Sequence, residues 1–383
     1  MSAAVLPSLR PSIGVRAFAV ACMLAALVAC ASTGEKPKPV ALPADAGSLH
    51  VRQAWAVHLP ATASSLRIAV NGDVAIVAAS DGTVAAIDAA SGAERWRVSI
   101  GAPLLAGVGS DGNLAAVITQ GNELVVLKDG HLLWRRHLAA QGYTAPWVSG
   151  QRVFVQTADR TLGAWDGLSG RRLWSQPRTA ENLVLKRPGV LLAVGDTLVA
   201  GAGGRLIGLN PANGSSRWEA SLAAPRGTND VERLVDLTGP ASRVGDVVCA
   251  RAYQATVGCV DTAQATLRWS RSSIGAEGLG GDAQRVYGTE ANGDVVAWRR
   301  SDGEPAWTSQ RLRYRALTAP LAIGRMLAIG EDSGTLHFVS SEDGTLLGRI
   351  TPDGSGIAAP PVLAGGTVVV VTHNGGIFGY RVE

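Results

Sequence analysis

The sequence is poor in the residue groupings from which catalytic centres are built. Its six histidines, His50, His58, His131, His137, His337 and His373, form no His-Glu-x-x-His run and no close ligand pair, so neither a metal nor a catalytic role is expected of them. No Gly-x-Ser-x-Gly elbow occurs. The Asp-Gly pairs at 81, 111, 302, 343 and 353 never extend into the alternating acids and closing Glu of a calcium loop, and read as hairpin turns. Gly201-Ala-Gly-Gly204 opens no helix, which makes it a hairpin and not a phosphate cradle. Helical periodicity is missing after residue 50, and that excludes a helical bundle. Charge is scarce as well. Charged residues are 17% of the chain, and the net charge of +4 includes Arg10 and Arg16 in a segment expected to be removed. The mature surface is then near balance, and charge implies no nucleic-acid partner.

What is abundant is glycine, 47 residues, and tryptophan, 10 residues. Both follow one phrase. Residues 84–96, Val-Ala-Ala-Ile-Asp-Ala-Ala-Ser-Gly-Ala-Glu-Arg-Trp, read as a strand, a turn and a second strand ending in Trp96. The Asp can bond its own backbone, and the Gly supplies the positive φ of the turn. The phrase recurs so that Trp stands at 55, 96, 134, 174, 218, 269 and 307, with Gly348 in the eighth place. A period near 40 residues with four strands per unit predicts propeller blades. Ala102-Pro103, Ala145-Pro146, Ala319-Pro320 and Ala359-Pro360 each precede an apolar strand, where a Pro without an N–H is tolerated. Eight units fit. The eighth stops after three strands, and residues 52–59, carrying the orphan Trp55, can supply the fourth. The expected fold is all-β: an eight-bladed β-propeller with four-stranded antiparallel blades, spanning residues 51–383 and closed by an N-terminal strand. One Trp at a fixed place per blade is a packing pattern, a wedge between neighbours, sooner than a ligand-stacking set.

The N-terminus reads as an address. Arg10 and Arg16 precede an apolar run over residues 17–28, too short to span a bilayer and suited to a signal peptide. The run ends in Leu27-Val28-Ala29-Cys30, similar to the bacterial lipobox, whose Cys is lipidated after cleavage. The expectation is therefore a cleaved signal over 1–29, a lipid anchor on Cys30 and a flexible Pro-, Ala- and Lys-rich tether through residue 50. Ala31 in place of Asp after the Cys implies sorting to the outer membrane.

Three further features bear on function. Cys249 and Cys259 lie on the two arms of one hairpin. A turn centred on Gln254 sets them face to face for a disulfide, while a two-residue turn at Gln254-Ala255 sends them to opposite faces; both remain open. Arg311, Arg313 and Arg315 alternate with Leu312 and Tyr314, as on one basic strand face. Finally, the Trp218–Trp269 interval is 51 residues, its surplus in residues 222–245, and Glu181-Asn-Leu-Val-Leu-Lys-Arg-Pro-Gly189 forms an earlier irregular insertion. Leu183 and Leu185 beside Lys186 and Arg187 suit a protein-binding edge, since long loops in a compact repeat fold tend to carry function.

The Asp, Gly, Trp phrase resembles the quinoprotein-type repeat, which two families use. Quinoprotein dehydrogenases bind pyrroloquinoline quinone and show adjacent cysteines and a calcium site, neither of which is visible here. The lipobox, eight-blade length and closing strand resemble the BamB family, the lipoprotein subunits of the outer-membrane β-barrel assembly machinery. Glu232-Arg233-Leu234-Val235-Asp236-Leu237 is similar to that family's segment before the fifth blade, and Leu183-Val184-Leu185-Lys186 to its Leu-x-Leu-Arg loop. The resemblance implies a non-enzymatic scaffold without cofactor on the periplasmic face of the outer membrane. It also implies a surface formed by Leu183, Leu185, Lys186, Arg187, Arg233 and Asp236 that binds the periplasmic domains of BamA and, through BamA, the other lipoproteins of the complex. Thr238 stands where a second acid is common. A free periplasmic ligand-binding propeller and a quinoprotein-like dehydrogenase are the alternative readings.

Overall fold

Each repeat phrase folds into two adjacent strands joined by a turn whose own side chains hold it. Asp88 closes strand Thr83–Asp88 and accepts the Ser91 N–H at 3.0 Å, while the Gly92 N–H donates to the Asp88 carbonyl at 2.7 Å. Asp166 repeats this with Ser169 at 2.8 Å. Burial then sorts the strands. The two middle strands of a unit are buried on both faces, as in Leu114–Thr119, whereas the last one alternates, as in Glu94–Ser99. Sheets whose middle strands lack a solvent face must be stacked between neighbours.

The computed structural model describes residues 37–44, 49–61, 66–178, 183–224 and 234–382. Among them, eight four-stranded antiparallel sheets follow one another along the chain. We number them blades 1 to 8 from the sheet that begins at Ala69. The inner strand of each blade touches the inner strand of the next, save that the inner strand of blade 5 meets the second strand of blade 4, and blade 8 touches blade 1, so the blades close an eight-membered ring. Blade 8 takes its outer strand from the other end of the chain. Val51–His58 pairs antiparallel with Gly376–Val382, with Val51 opposite Val382 and Trp55 opposite Gly379.

The links that run from one blade's outer strand to the next blade's inner strand share one face of the ring with the hairpins between the second and third strands. Backbone bonds tie the two sets: Leu138 N–H to the Asn122 carbonyl at 2.7 Å, Ala158 to Gln141 at 2.7 Å and Tyr253 to Asp236 at 2.9 Å. We refer to this as the crossover face.

Tryptophan fastens blade to blade. The indole N–H of Trp55 donates to the Ala89 carbonyl of the next blade at 2.8 Å, Trp134 to Gly167 at 2.8 Å and Trp174 to Pro211 at 3.0 Å. Trp269 likewise reaches Arg300 at 2.8 Å and Trp307 reaches Ser341 at 3.0 Å. The ring lies on the turn glycine of that neighbour, where a Cβ at Gly303 would come within 2.3 Å of Trp269. A Trp buries about 150–250 Å², which at ~25 cal/mol per Å² stabilises by roughly 4–6 kcal/mol as an upper estimate.

Register explains the missing eighth Trp. In the other blades the Trp sits opposite a small or medium residue of the third strand, such as Ala86, Ala164, Gly208 or Ala297. In blade 7 the sizes are exchanged, and Gly348 sits opposite Phe338, which is fully buried. Blade 8, its neighbour, takes its fourth strand from the N-terminal side, so no turn joins its third and fourth strands to receive an indole. Phe338, Tyr380 and Phe378 fill that seam.

Two segments depart from the sequence reading. The tether was expected to be free through residue 50, but residues 40–43 lie on blades 6 and 7. The Arg315 guanidinium donates to the Val40 carbonyl at 2.9 Å, Arg349 to the Pro43 carbonyl at 3.0 Å, and Leu42 packs against the cluster of Leu312 and Leu327. Arginine forks and an apolar side chain are enough to hold a Pro-rich segment that has no periodicity to signal it. Residues 311–315 form a turn and not a strand face, with Tyr314 at a φ of 65°. Arg313 pairs with Asp294 and Arg315 with Glu331, each at 2.8 Å, so two of the three charges are neutralised locally. The expected signal over 1–29 and the expected lipidation site Cys30 lie outside the described residues.

Two measurements follow. Gly348→Trp should lower stability, because Phe338 already fills the space and overpacking costs about 1–3 kcal/mol; Phe338→Ala in the same chain should recover part of the loss in thermal melts. The second concerns Glu331, which accepts from His337 at 2.7 Å as well as from Arg315. Burial pushes its carboxyl up, but hydrogen bonds from His337, Ser333 and Arg315 together hold it down, from 4.5 to about 2. A lowered folded-state pKa stabilises above the ordinary value and is lost as pH falls from 4.5 through about 2. The stability difference between the wild type and Glu331→Gln, read from urea midpoints, should therefore be full at pH 7 and shrink across that window.

Candidate partner-docking site

The two irregular insertions found in the sequence meet on the crossover face. Residues 183–189 complete the link from blade 3 into strand Leu191–Val194 of blade 4. Residues 234–236 complete the link from blade 4 into strand Leu237–Val244 of blade 5. Backbone bonds seat the first link: Gly189 N–H to Thr144 Oγ1 at 2.9 Å, and Gly239 N–H to the Pro188 carbonyl at 2.9 Å. Leu183 is 40% exposed, whereas Leu185 is half-buried and lines the cavity beneath the link together with Tyr143, Gln156 and Arg160. An extended segment would have pointed both leucines the same way; the link is not a strand, and it divides them. Lys186 is exposed. Arg187 is exposed too, ion-paired with Glu277 and lying 5.9 Å above the Tyr253 ring. Arg233 lies outside the described residues.

Asp236 differs from its sequence reading. It was expected to project from its loop and meet a basic group on a partner. Instead it is 7% exposed, and both carboxylate oxygens are engaged within the chain. Oδ1 lies 2.5 Å from Arg160 Nη1, an ion pair too poorly aligned to count as a hydrogen bond, and Oδ2 accepts the Leu185 N–H at 2.8 Å. Arg160 also donates to the Leu183 carbonyl at 3.3 Å. The physical reason is that Asp236 stands one residue before an inner strand, where the chain already descends into the ring. Thr238, two residues on, is buried in that strand. Breaking a buried pair by removing one partner costs about 3–5 kcal/mol, because the other charge is left uncompensated.

Sequence reasoning missed Arg160 and Glu277, and the contact of Tyr253 with Arg187. For Arg160 a signal existed: Asp159-Arg160 occupies the hairpin tip that Asp81-Gly82 and Asn292-Gly293 occupy elsewhere. Nothing local marks Tyr253 or Glu277, which the ring brings to residue 187 from two other blades.

The remaining chemistry-bearing residues stay apart from this site. Cys249 stands opposite Cys259, with Gln254 at the turn in the left-handed region, and the two are joined by a disulfide. They face each other across a ladder, which is a different arrangement from adjacent residues in sequence. Among the described residues no group of three or more His, Cys, Asp or Glu side chains is placed to hold a metal ion. His337 is fully buried against Glu331.

The fold is shared with proteins of different activity. The quinohemoprotein alcohol dehydrogenase from Comamonas testosteroni superposes with a TM-score of 0.66 at 13% identity, covering 87% of this chain and 76% of that one. BamB from Moraxella catarrhalis superposes with a TM-score of 0.77 at 24% identity, covering 87% of this chain and all of that one. These two likenesses establish architecture only. Sequence goes further. The family model for outer membrane protein assembly factor BamB matches residues 80–309. The outer membrane protein assembly factor BamB of Burkholderia pseudomallei is 36% identical over 370 residues, covering 94% of this chain and 97% of that protein. On that match, spanning nearly the full length of both proteins, the chain belongs to the outer membrane protein assembly factor BamB family.

Proposed function

We propose that this chain is a non-enzymatic scaffold of the outer-membrane β-barrel assembly machinery. It is held at the periplasmic face of the outer membrane by lipid on Cys30. It docks on the periplasmic domains of BamA through the link at residues 183–187 and meets the other lipoproteins of the complex through BamA. The observation that carries this reading is an exposed Leu183 on a link whose backbone is pinned to two other blades. An apolar side chain on a fixed loop, flanked by Lys186 and Arg187, has the composition of a small protein-binding surface. The named relatives are assembly factors, and Leu183-Val184-Leu185-Lys186 resembles the family's Leu-x-Leu-Arg loop.

Leu183 should supply most of the affinity, with Leu185 supporting the link from the cavity beneath it, since a truncated hot spot costs about 2 kcal/mol or more, whereas rim charges act chiefly on association rate and salt sensitivity. Leu183→Ala with Leu185→Ala is expected to weaken co-purification with the BamA periplasmic domains more than Lys186→Ala does, with an unchanged circular dichroism spectrum. Retained binding by the folded double variant would move the interface elsewhere on the ring. The anchor is tested separately. Cys30→Ala should shift the protein out of outer-membrane fractions or leave an unprocessed precursor, and normal partitioning of that variant would refute lipidation at this residue.

A further inference from the structure

The tip of the second hairpin in blade 3 is built against local preference. Four of the eight blades place a glycine at this left-handed position, Gly82, Gly293, Gly334 and Gly375, with φ between 83° and 104°, and blade 2 places Asn122, a residue type that tolerates it. Blade 3 places Arg160 there, at a φ of 64°, with its N–H donating to the Thr157 carbonyl at 2.9 Å as the turn requires. A Cβ at such a φ is unfavourable. The hairpin itself therefore gains nothing from Arg160, and what the residue contributes must come through its side chain.

That side chain reaches away from its own blade. One nitrogen meets Asp236, which enters from the link before blade 5, and another donates to the Leu183 carbonyl in the link before blade 4. The opposite oxygen of Asp236 takes the Leu185 N–H. The arginine and the aspartate thus grip the two backbone groups that flank Val184, one from each side. Both side chains are about nine-tenths buried, at 10% and 9% exposure, so water competes weakly for either.

We propose that Arg160 is a positioning residue. With Asp236 as its counter-charge, it fixes the backbone at Leu183–Leu185 before any partner arrives, so that docking does not have to order the link. Asp236 serves the surface from beneath and does not itself touch the partner. The consequence for docking rests on the function proposed above; the brace itself does not.

The two are separable by experiment on the mature lipoprotein in detergent micelles. Amide hydrogen exchange at Leu185 reads the brace directly, with Val199 of blade 4 as a control for ring integrity. Arg160→Gln and Asp236→Asn should each speed Leu185 exchange about tenfold or more while Val199 stays protected. Arg160→Lys, which keeps the charge, should restore most of the protection. The double variant should exchange no faster than the worse single one, because the two residues act as one unit. Affinity for the BamA periplasmic domains, measured by surface plasmon resonance, should fall about tenfold in Arg160→Gln. Unchanged Leu185 exchange in folded Arg160→Gln, or additive effects of the two single variants, would overturn the brace. Faster exchange with unchanged BamA affinity would overturn its role in docking. Faster exchange in a protein whose wild type does not bind BamA would uphold the brace and refute the docking surface. Should Arg160→Gln fail to fold, Arg160→Lys and the charge-free double variant carry the same comparison.

Discussion

The hydrogen bond from an indole to the neighbouring blade's turn is the contact on which this ring depends. A four-stranded sheet with both faces apolar cannot stand alone, and each blade is completed only by the next one. The Trp makes that completion directional: at six interfaces its ring lies on the neighbour's turn glycine, and at five its N–H donates to a carbonyl just past the neighbour's third strand. Turn and wedge are therefore one device shared between adjacent repeats. This is why the Asp, Gly and Trp of the phrase recur together, and why the Trp is missing at the interface whose receiving turn does not exist. Exchanging Trp and a small residue for Gly348 and Phe338 keeps the seam filled without the indole.

A ring fastened in this way leaves its crossover face free to vary. Links between blades are held at both ends, so a longer link changes little in the core. Here the links into blades 4 and 5 use that freedom and are then tied down again. Placing Arg160 in the left-handed region costs about 1–2 kcal/mol relative to glycine. The buried pair it forms would cost about 3–5 kcal/mol to break from one side. That figure measures the charge left uncompensated and not the net worth of the pair, so once Asp236 is buried the hairpin tip keeps a poor local residue that supplies its counter-charge.

Most of the architecture was legible in the sequence because a period of one Trp and one turn per blade is written in residue types. The closing strand was legible for the same reason: Trp55 had no blade of its own and the last blade had no Trp. The candidate site was legible only in part. The sequence marked Leu183, Leu185 and Asp236, but residue type does not report burial, and Asp236 proved to face inward because it stands one step from an inner strand. Arg160 and Asp236 are 76 positions apart, and only the ring's curvature places them in contact. The Cys249–Cys259 pairing hung on whether the turn held two or three residues, a difference settled by Gln254 adopting the left-handed conformation. Residues 40–43 carry no periodicity at all, and what holds them are arginines whose other partners, Glu331 among them, lie in blade 7 or beside it.

The arrangement of these features around the ring has a mechanical sense. In a ring of eight, blade 4 stands across from blade 8. The docking link enters blade 4, and the interface without an indole fastener adjoins blade 8. A force applied at that link would be delivered first to blades 3, 4 and 5, which Trp134 and Trp269 fasten to the blades on either side. The seam between blades 7 and 8, filled by Phe338, Phe378 and Tyr380, is as far from that load as the ring allows. Upstream of the closing strand, Arg315, Arg349 and Leu42 grip residues 40–43 on blades 6 and 7. A pull from the N-terminal side would meet that grip before it reached Val51, where the strand that completes blade 8 begins.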